Sequence, residues 1–408
     1  MEQTSTLTIG APKEGLSGER RVAITPTVIA GYVKAGFRVL VEAGAGASAG
    51  FADQAYIDRG AEIVTRDVAL AADVVAVVRV LDGDPTSPDR ERLRPGQVVI
   101  GMAAPLAAPE VAAAVADRGA VLYALELVPR TTRAQSMDVL SSQANIAGYK
   151  AVLLAAAQLP KMAPMLTTAA GTIAPAKVFI IGAGVAGLSA IAPARRLGAV
   201  VEAYDVRTAV KEEVESLGAR FVELPLETGQ EGAGSGAYAT QMSDEQIAQQ
   251  RALMAKTIAG SDVVITTAQV QGAKAPVLVT KEMVAGMAPG SVIVDLAAEQ
   301  GGNCEGSVAG ETVDVGGVTI IGPTNVPATV PHDASVTYAK NIANFVALIV
   351  ADKALHIDVD DAIVQETVTT HDGQVVPPRV REALGLAPLP APPADPVPTP
   401  ASEGQEAA

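Results

Sequence analysis

The chain is poor in the side chains on which most catalytic and metal sites are built. It has one cysteine, Cys304, and three histidines, His332, His356 and His371. A single cysteine excludes an internal disulfide and fits a reducing compartment. Cys304 lies in GGNCEG with no histidine ahead of it in the chain, which suits a small packing residue better than a nucleophile. No His/Cys cluster at metal spacing, no H-E-x-x-H, no C-x-x-C and no G-x-S-x-G elbow occurs, so no metal site is expected. There is no excess of positive charge either. A net charge of −15 argues against a nucleic-acid partner, which selects basic surfaces. Apolar runs such as 343–351 stop short of the ~20 residues that a spanning helix needs. The N-terminal stretch lacks the basic segment and apolar core of a secretory signal. The expectation is a chain that is soluble by itself, which still permits docking onto a membrane partner.

What is present begins with size. At 408 residues and 49% hydrophobic composition the chain has material for two cores. Strands are expected at 5–12, 38–43, 61–64, 73–80, 97–102 and 120–128, with helical or polar stretches between them. The pattern resumes at 178–181, 200–204, 221–224, 262–267, 292–296 and 318–321. Strands alternating with helices predict parallel sheets covered on both faces. Periodic apolar positions predict a long helix over 142–158 and another over 334–352, both crossing between domains. Asp372-Gly373 predicts a type I′ turn inside a hairpin over 364–376. The fold class is therefore α/β, with two Rossmann-like doubly wound parallel-sheet domains joined by long helices and a nucleotide in the cleft between them. The expected domains are 1–141 plus 327–384, then 142–326, with 385–408 a disordered Pro/Ala-rich tail.

The most informative stretch is 177–207. An apolar strand runs into Gly182-Ala183-Gly184-Val185-Ala186-Gly187, then a helix, then a second strand ending at Asp205. In a G-x-G-x-x-G turn the first glycine permits the tight bend. The second lets a pyrophosphate approach the backbone, and the third lets helix and strand pack closely. The helix N-terminus offers N–H groups and a positive dipole end to phosphate. Asp205, 23 residues beyond Gly182, is placed to accept from the adenosine ribose hydroxyls. A carboxylate there favours NAD(H), because it repels a 2′-phosphate. Arg207 opposes that preference if its side chain is free, and has no such effect if it is solvated or paired with a carboxylate.

Acid–base groups are scarce where a substrate would meet the nicotinamide. His332 reads as cap-region structure before a helix, and His356 and His371 as surface residues. Between Arg66 and Tyr149 there is neither a histidine nor a lysine, and Lys13 reads as a surface charge. Alcohol and amino-acid dehydrogenases move a proton with the hydride, usually through such a residue. Transfer between two nicotinamide rings needs only positioning and exclusion of water. Arg130, Gln135 and Asp138 suit positioning, because guanidinium, amide and carboxylate can grip a carboxamide and a ribose. The alternative is an ion-pair network that caps the long helix. Between Leu224 and Ser243 a glycine-rich insertion carrying Tyr238 and Met242 reads as a mobile flap over the site, the alternative being an unstructured surface insertion.

These residues resemble the soluble NAD(H)-binding component of proton-translocating NAD(P) transhydrogenases. The resemblance covers roughly residues 7–384 and rests on IGAPKEGLSGERRVAITP, RAQSMDVLSSQANIAGYKAV at 133–152, and the glycine-rich block at 180–207. VESLGARFVEL, DLAAEQGGNCEG and the TNVP segment at 324–327 reinforce it. It implies Arg130, Gln135, Asp138 and Ser141 beside the nicotinamide, with Gln135 contacting the partner's nucleotide. It also implies Gly182, Gly184, Val185 and Gly187 at the pyrophosphate, Asp205 at the ribose with Arg207 beside it, and Tyr238 closing over the cofactor. The same resemblance implies NAD(H) on this chain, NADP(H) on a partner subunit, a homodimer, a membrane-spanning subunit, and a place on the cytoplasmic face of the membrane. Alanine dehydrogenases share the fold, but their substrate-binding lysine and histidine are missing from VVAVVRVLDG and QVVIGMAAPL. An alanine dehydrogenase-like enzyme is thus the second reading, and a non-catalytic NAD(H) sensor the third.

Overall fold

A computed structural model describes residues 6–223, 244–270, 272–358 and 360–389 of the chain. Six strands open it: β1 Thr8–Ala11, β2 Arg38–Glu42, β3 Glu62–Val64, β4 Val74–Arg79, β5 Val98–Met102 and β6 Val121–Ala124. β7 Leu166–Thr168 and β8 Gly171–Ile173 form a hairpin. Then come β9 Lys177–Ile181, β10 Val200–Tyr204, β11 Arg220–Phe221, β12 Val263–Thr266, β13 Val292–Asp295, β14 Thr312–Val315 and β15 Val318–Ile321. β16 Val350–Ala351 and β17 Ala354–Leu355 make a short ladder, and β18 Val368–His371 and β19 Gln374–Val375 end the series.

The strands assemble into two Rossmann-like sheets. The first has the order β19-β18-β6-β5-β4-β1-β2-β3, and the second β11-β10-β9-β12-β13-β15-β14. All pairs are parallel except those of β18, β19 and β14, which run antiparallel at sheet edges. Near-continuous apolar strands are what a parallel sheet covered on both faces requires. Val74, Ala76 and Val78 accordingly enter one core layer, and Val75 and Val77 the layer on the opposite face. Val178 and Ile180 divide from Phe179 and Ile181 in the same way. Strand order reverses between β9 and β12, and between β1 and β4, which opens a crevice at the carboxyl ends of those strands.

The long helix Val139–Gln158 joins the two parts. Val139 is buried in the first core, and Ala151, Val152 and Ala155 in the second. It begins earlier than its apolar periodicity suggests, because Asp138 is its N-cap and accepts from Ser141 N at 2.9 Å. The helix Pro331–Leu348 returns the chain to the first core through Tyr338, Ile342 and Phe345.

Several expectations need correction. β7–β8 and β14 carry too little apolar pattern to be read from the sequence, and β14 makes the second sheet seven-stranded. The segment Ala362–Thr367 is helical, capped by Asp361, so the hairpin is confined to β18 and β19. Its turn does have positive φ at both Asp372 (47°) and Gly373 (71°), as a type I′ turn demands. No helix among the described residues is long and apolar enough to cross a membrane. The insertion at 224–243 with Tyr238 and Met242, and most of the tail (390–408), lie outside the described residues.

Candidate functional site

β9 ends at Ile181 and the chain turns at Gly182 with φ +98°, a conformation that L side chains rarely adopt. Thr267 Oγ1 donates to the Gly182 carbonyl at 2.9 Å, tying this turn to the end of β12. A Cβ on Gly187 would stand 1.8 Å from that same carbonyl oxygen, so close packing of helix on strand permits no side chain there. At Gly184 the opposite holds: a Cβ would meet nothing within 4 Å. The open ground in front of Gly184 borders the first turn of the helix Val185–Arg196. Free N–H groups and the positive end of the helix dipole converge on that ground, which is the arrangement that accepts a pyrophosphate.

Asp205 follows β10 and is 8% exposed. Its carboxylate accepts from Ala183 N at 2.8 Å, so the acid also braces the glycine turn. Arg207 donates to it through its backbone N (2.8 Å), its Nε (3.0 Å) and its Nη2 (3.0 Å). Burial alone would raise the Asp205 carboxyl. The Arg207 and Ala183 hydrogen bonds outweigh burial and hold it below the usual carboxylate range. Of the two alternatives for Arg207, this structure has the paired one. Beside the carboxylate lies a pocket of about 330 Å³, walled by Tyr204, Val206, Met254, Leu278 and Met283 with Arg251 among its lining. An apolar slot of this size next to a carboxylate suits an adenosine. Its far wall comes from segments with no motif, which is why the sequence did not point to Arg251, Met254 or Leu278.

The second group of candidates lies where β6 hands over to the long helix. Residues Thr132–Met137 form a 3₁₀ turn with Ala134 and Met137 turned into the core. Arg130 and Gln135 are exposed and have no side-chain hydrogen bond among the described residues. Asp138 and Ser141 are different, because Ser141 donates to Asp138 through both N (2.9 Å) and Oγ (2.5 Å). One pair of side chains closes the helix end and the other stays unengaged. The long helix carries this end toward the glycine turn. At Gly148 it crosses the helix Val185–Arg196 so closely that a Cβ would fall 2.0 Å from the Ala186 carbonyl oxygen. That crossing is ten residues, or about 15 Å of helix, beyond Asp138.

The charged loop after β1 exposes Arg20 but buries Glu19 and Arg21. Arg21 and Glu19 form a buried ion pair at 2.7 Å, and Arg21 also donates to Gln143 (2.9 Å) and Asn325 (3.0 Å). Burial opposes ionisation of Glu19, but the Arg21 hydrogen bond and charge prevail and lower its carboxyl. With every partner satisfied, this network ties the first core to the long helix and to the TNVP segment. His332 is structural as well: its ring stacks on Phe51 at 4.5 Å and its Nδ1 meets the Ala49 carbonyl. Cys304 is buried and its thiol is pushed up to about 12, which leaves it unreactive.

Two half-buried acids sit at the carboxyl edge of the first sheet, where sequence pattern gave no signal. Glu126 accepts from Ala103 N and Ala104 N, and Glu14 from Val78 N and Arg79 N. Burial pushes the Glu14 carboxyl up to about 8 despite its two backbone donors. The native state then keeps its proton to higher pH than the unfolded chain does. The contribution of Glu14 to stability is therefore full below about pH 4.5 and is lost as pH rises toward 8, opposite in sign to that of Glu19 and Asp205. Glu14→Gln is expected to flatten that decline in a melting-temperature series. A variant whose pH dependence matched that of the parent chain would show that Glu14 is not its source.

Comparison with known proteins agrees with the fold. Residues 10–147 match the family model for the N-terminal domain of alanine dehydrogenase/PNT, and residues 151–378 match that for its C-terminal domain. The first part of an NAD(P) transhydrogenase subunit alpha from Rhodospirillum rubrum is 46% identical over 375 residues, spanning 91% of this chain and 98% of that protein. The crystal structure of a transhydrogenase from Sinorhizobium meliloti superposes with a TM-score of 0.82 at 46% identity, covering 90% of this chain and all of that one. The alanine dehydrogenase of Bacillus subtilis is more distant, 30% identical over 94% of this chain and 96% of its own length.

Proposed function

Since the chain belongs to the alanine dehydrogenase/PNT family, we propose that it is the NAD(H)-binding component of an NAD(P) transhydrogenase. In this reading it transfers hydride between NADH held here and NADP⁺ held on a partner subunit, coupled to proton movement through membrane subunits. The observation that carries it is the 130–138 loop, whose Arg130 and Gln135 are exposed and unengaged while its backbone is held. Bound nicotinamide supplies the hydride, and the chain's residues bind, orient and exclude water. Gly182, Gly184, Val185 and Gly187 hold the pyrophosphate, and Asp205 takes the adenosine ribose once Arg207 swings aside. Arg130, Asp138 and Ser141 set the nicotinamide end, and Gln135 reaches toward the partner's nucleotide. NADH + NADP⁺ → NAD⁺ + NADPH needs no proton donor, which agrees with the lack of His and Lys between Arg66 and Tyr149.

The test is hydride exchange between NADH and an NADP⁺ analogue on adding an NADP(H)-binding partner. Robust NADH formation from NAD⁺ and L-alanine by this polypeptide alone would instead establish an amino-acid dehydrogenase. That control matters because Arg79, at the end of β4, keeps a buried Nε without a partner among the described residues. A place on the cytoplasmic face of the membrane, against a membrane-spanning subunit, belongs to the same proposal.

A homodimer is also part of it. β7–β8 projects with every residue exposed, and Met165 (64%), Met162 (46%), Ile173 (42%) and Leu166 (41%) give it an apolar surface that no described residue of one copy covers. Met165→Asp with Leu166→Asp is expected to convert a dimer into monomers by light scattering, with NADH affinity retained. A variant that remained dimeric would place the interface elsewhere.

A further inference from the structure

We propose that Arg133 with Asp361, and Asn341 with Asn344, are positioning residues that hold the 130–138 loop in the geometry needed for hydride transfer. This rests on the transhydrogenase reading above. The loop has a particular requirement: Arg130 and Gln135 must be free of internal bonds, yet the loop must not drift. Its remaining groups meet that requirement. The Arg133 guanidinium pairs with the Asp361 carboxylate, 228 residues away in sequence. Asp361 is fixed in turn as the cap of the helix Ala362–Thr367, accepting from Ile363 N at 2.8 Å. On the other side of the loop the Ser136 carbonyl accepts from two amides of the return helix, Asn341 Nδ2 at 2.8 Å and Asn344 Nδ2 at 3.0 Å. Asn341 is itself held by Ser142 Oγ, which donates to its Oδ1 at 2.7 Å.

Tethered and untethered groups thus alternate along the turn. Arg130 is free, Arg133 is paired, Gln135 is free and Ser136 is gripped through its carbonyl. Two elements distant in sequence from the loop, the helix capped by Asp361 and the return helix, thereby set where Gln135 points. An ion pair in which Arg133 is 60% exposed adds little to global stability. Its effect falls on the position of the loop, where a displacement of about 1 Å can cost on the order of 100-fold in rate.

The experiment compares Arg133→Ala, Asp361→Asn and Asn344→Ala with the parent chain in complex with its NADP(H)-binding partner. Asp361→Asn keeps a capping acceptor and removes the charge, so it separates the ion pair from the helix cap. Single-turnover hydride transfer should slow roughly tenfold, with NADH affinity and melting temperature unchanged. Arg133→Lys should recover part of the rate. Amide exchange within residues 131–137 should quicken in all three variants, a readout that does not depend on catalysis. Parent-like transfer or parent-like exchange in Arg133→Ala would overturn the proposal, as would a slowing that tracks lost affinity or a lowered melting temperature. Faster exchange in the variants, with no transfer even by the parent chain, would keep the tether and discard the transhydrogenase reading.

Discussion

Gln135→Asn is expected to slow hydride transfer by roughly 100-fold while leaving NADH affinity within about twofold. Asparagine keeps the carboxamide and shortens its reach by one methylene, so chemistry is conserved and only position changes. Gln135 is exposed and makes no side-chain hydrogen bond among the described residues, so the substitution breaks nothing inside the fold. Its neighbours Ala134 and Met137 remain buried, and the turn that carries it keeps its anchor. Under the proposed function NADH is held elsewhere, by the glycine turn and Asp205, which is why affinity should survive. Stopped-flow transfer to an NADP⁺ analogue on the partner gives the rate, and NADH titration by fluorescence gives the affinity. Equal losses in both would mean that Gln135 anchors NADH instead of aligning two nucleotides.

Asp205→Ala is expected to weaken NADH by roughly 10- to 100-fold, the scale of losing charge-assisted hydrogen bonds to the ribose hydroxyls. It should also narrow the preference for NADH over NADPH. Arg207, now paired with Asp205, would lose its partner, and its 59% exposed guanidinium could then meet a 2′-phosphate. Asp205 also accepts from Ala183 N, so part of the loss is expected to come from a loosened glycine turn. Asp205→Asn separates the two effects, because an amide oxygen can still accept that hydrogen bond. Titration of each variant with NADH and NADPH measures both quantities. An unaltered NADH/NADPH ratio in Asp205→Ala would assign selectivity to another pocket residue, Arg251 being the remaining cation in its lining.

The sheets were legible because parallel strands buried on both faces are written as unbroken apolar runs, as in VVAVV and VFII. The edge strand β14 and the exposed hairpin β7–β8 were not, since edge and solvent-facing strands need no such run. Val364 illustrates a different failure. It reads as a strand residue, but the Asp361 cap immediately before it winds Ala362–Thr367 into a helix. Gly187 stands at the other extreme: its spacing from Gly182 was enough to foresee that the helix presses on the turn, at 1.8 Å from any added Cβ.

By itself the sequence determined the α/β class, the glycine turn with its acid, and the absence of any His or Lys between Arg66 and Tyr149. Each is a matter of spacing or composition along the chain, and so survives without coordinates. Only the tertiary structure decided that Glu19 and Arg21 are a buried pair, that burial lifts Glu14, and that Arg207 covers Asp205. It alone brought Asp361, Asn341 and Asn344 onto the 130–138 loop. The physical reason is common to these cases. Whether a charge is solvated, paired or buried depends on which distant backbone and side-chain groups the fold sets against it, and local pattern does not encode that.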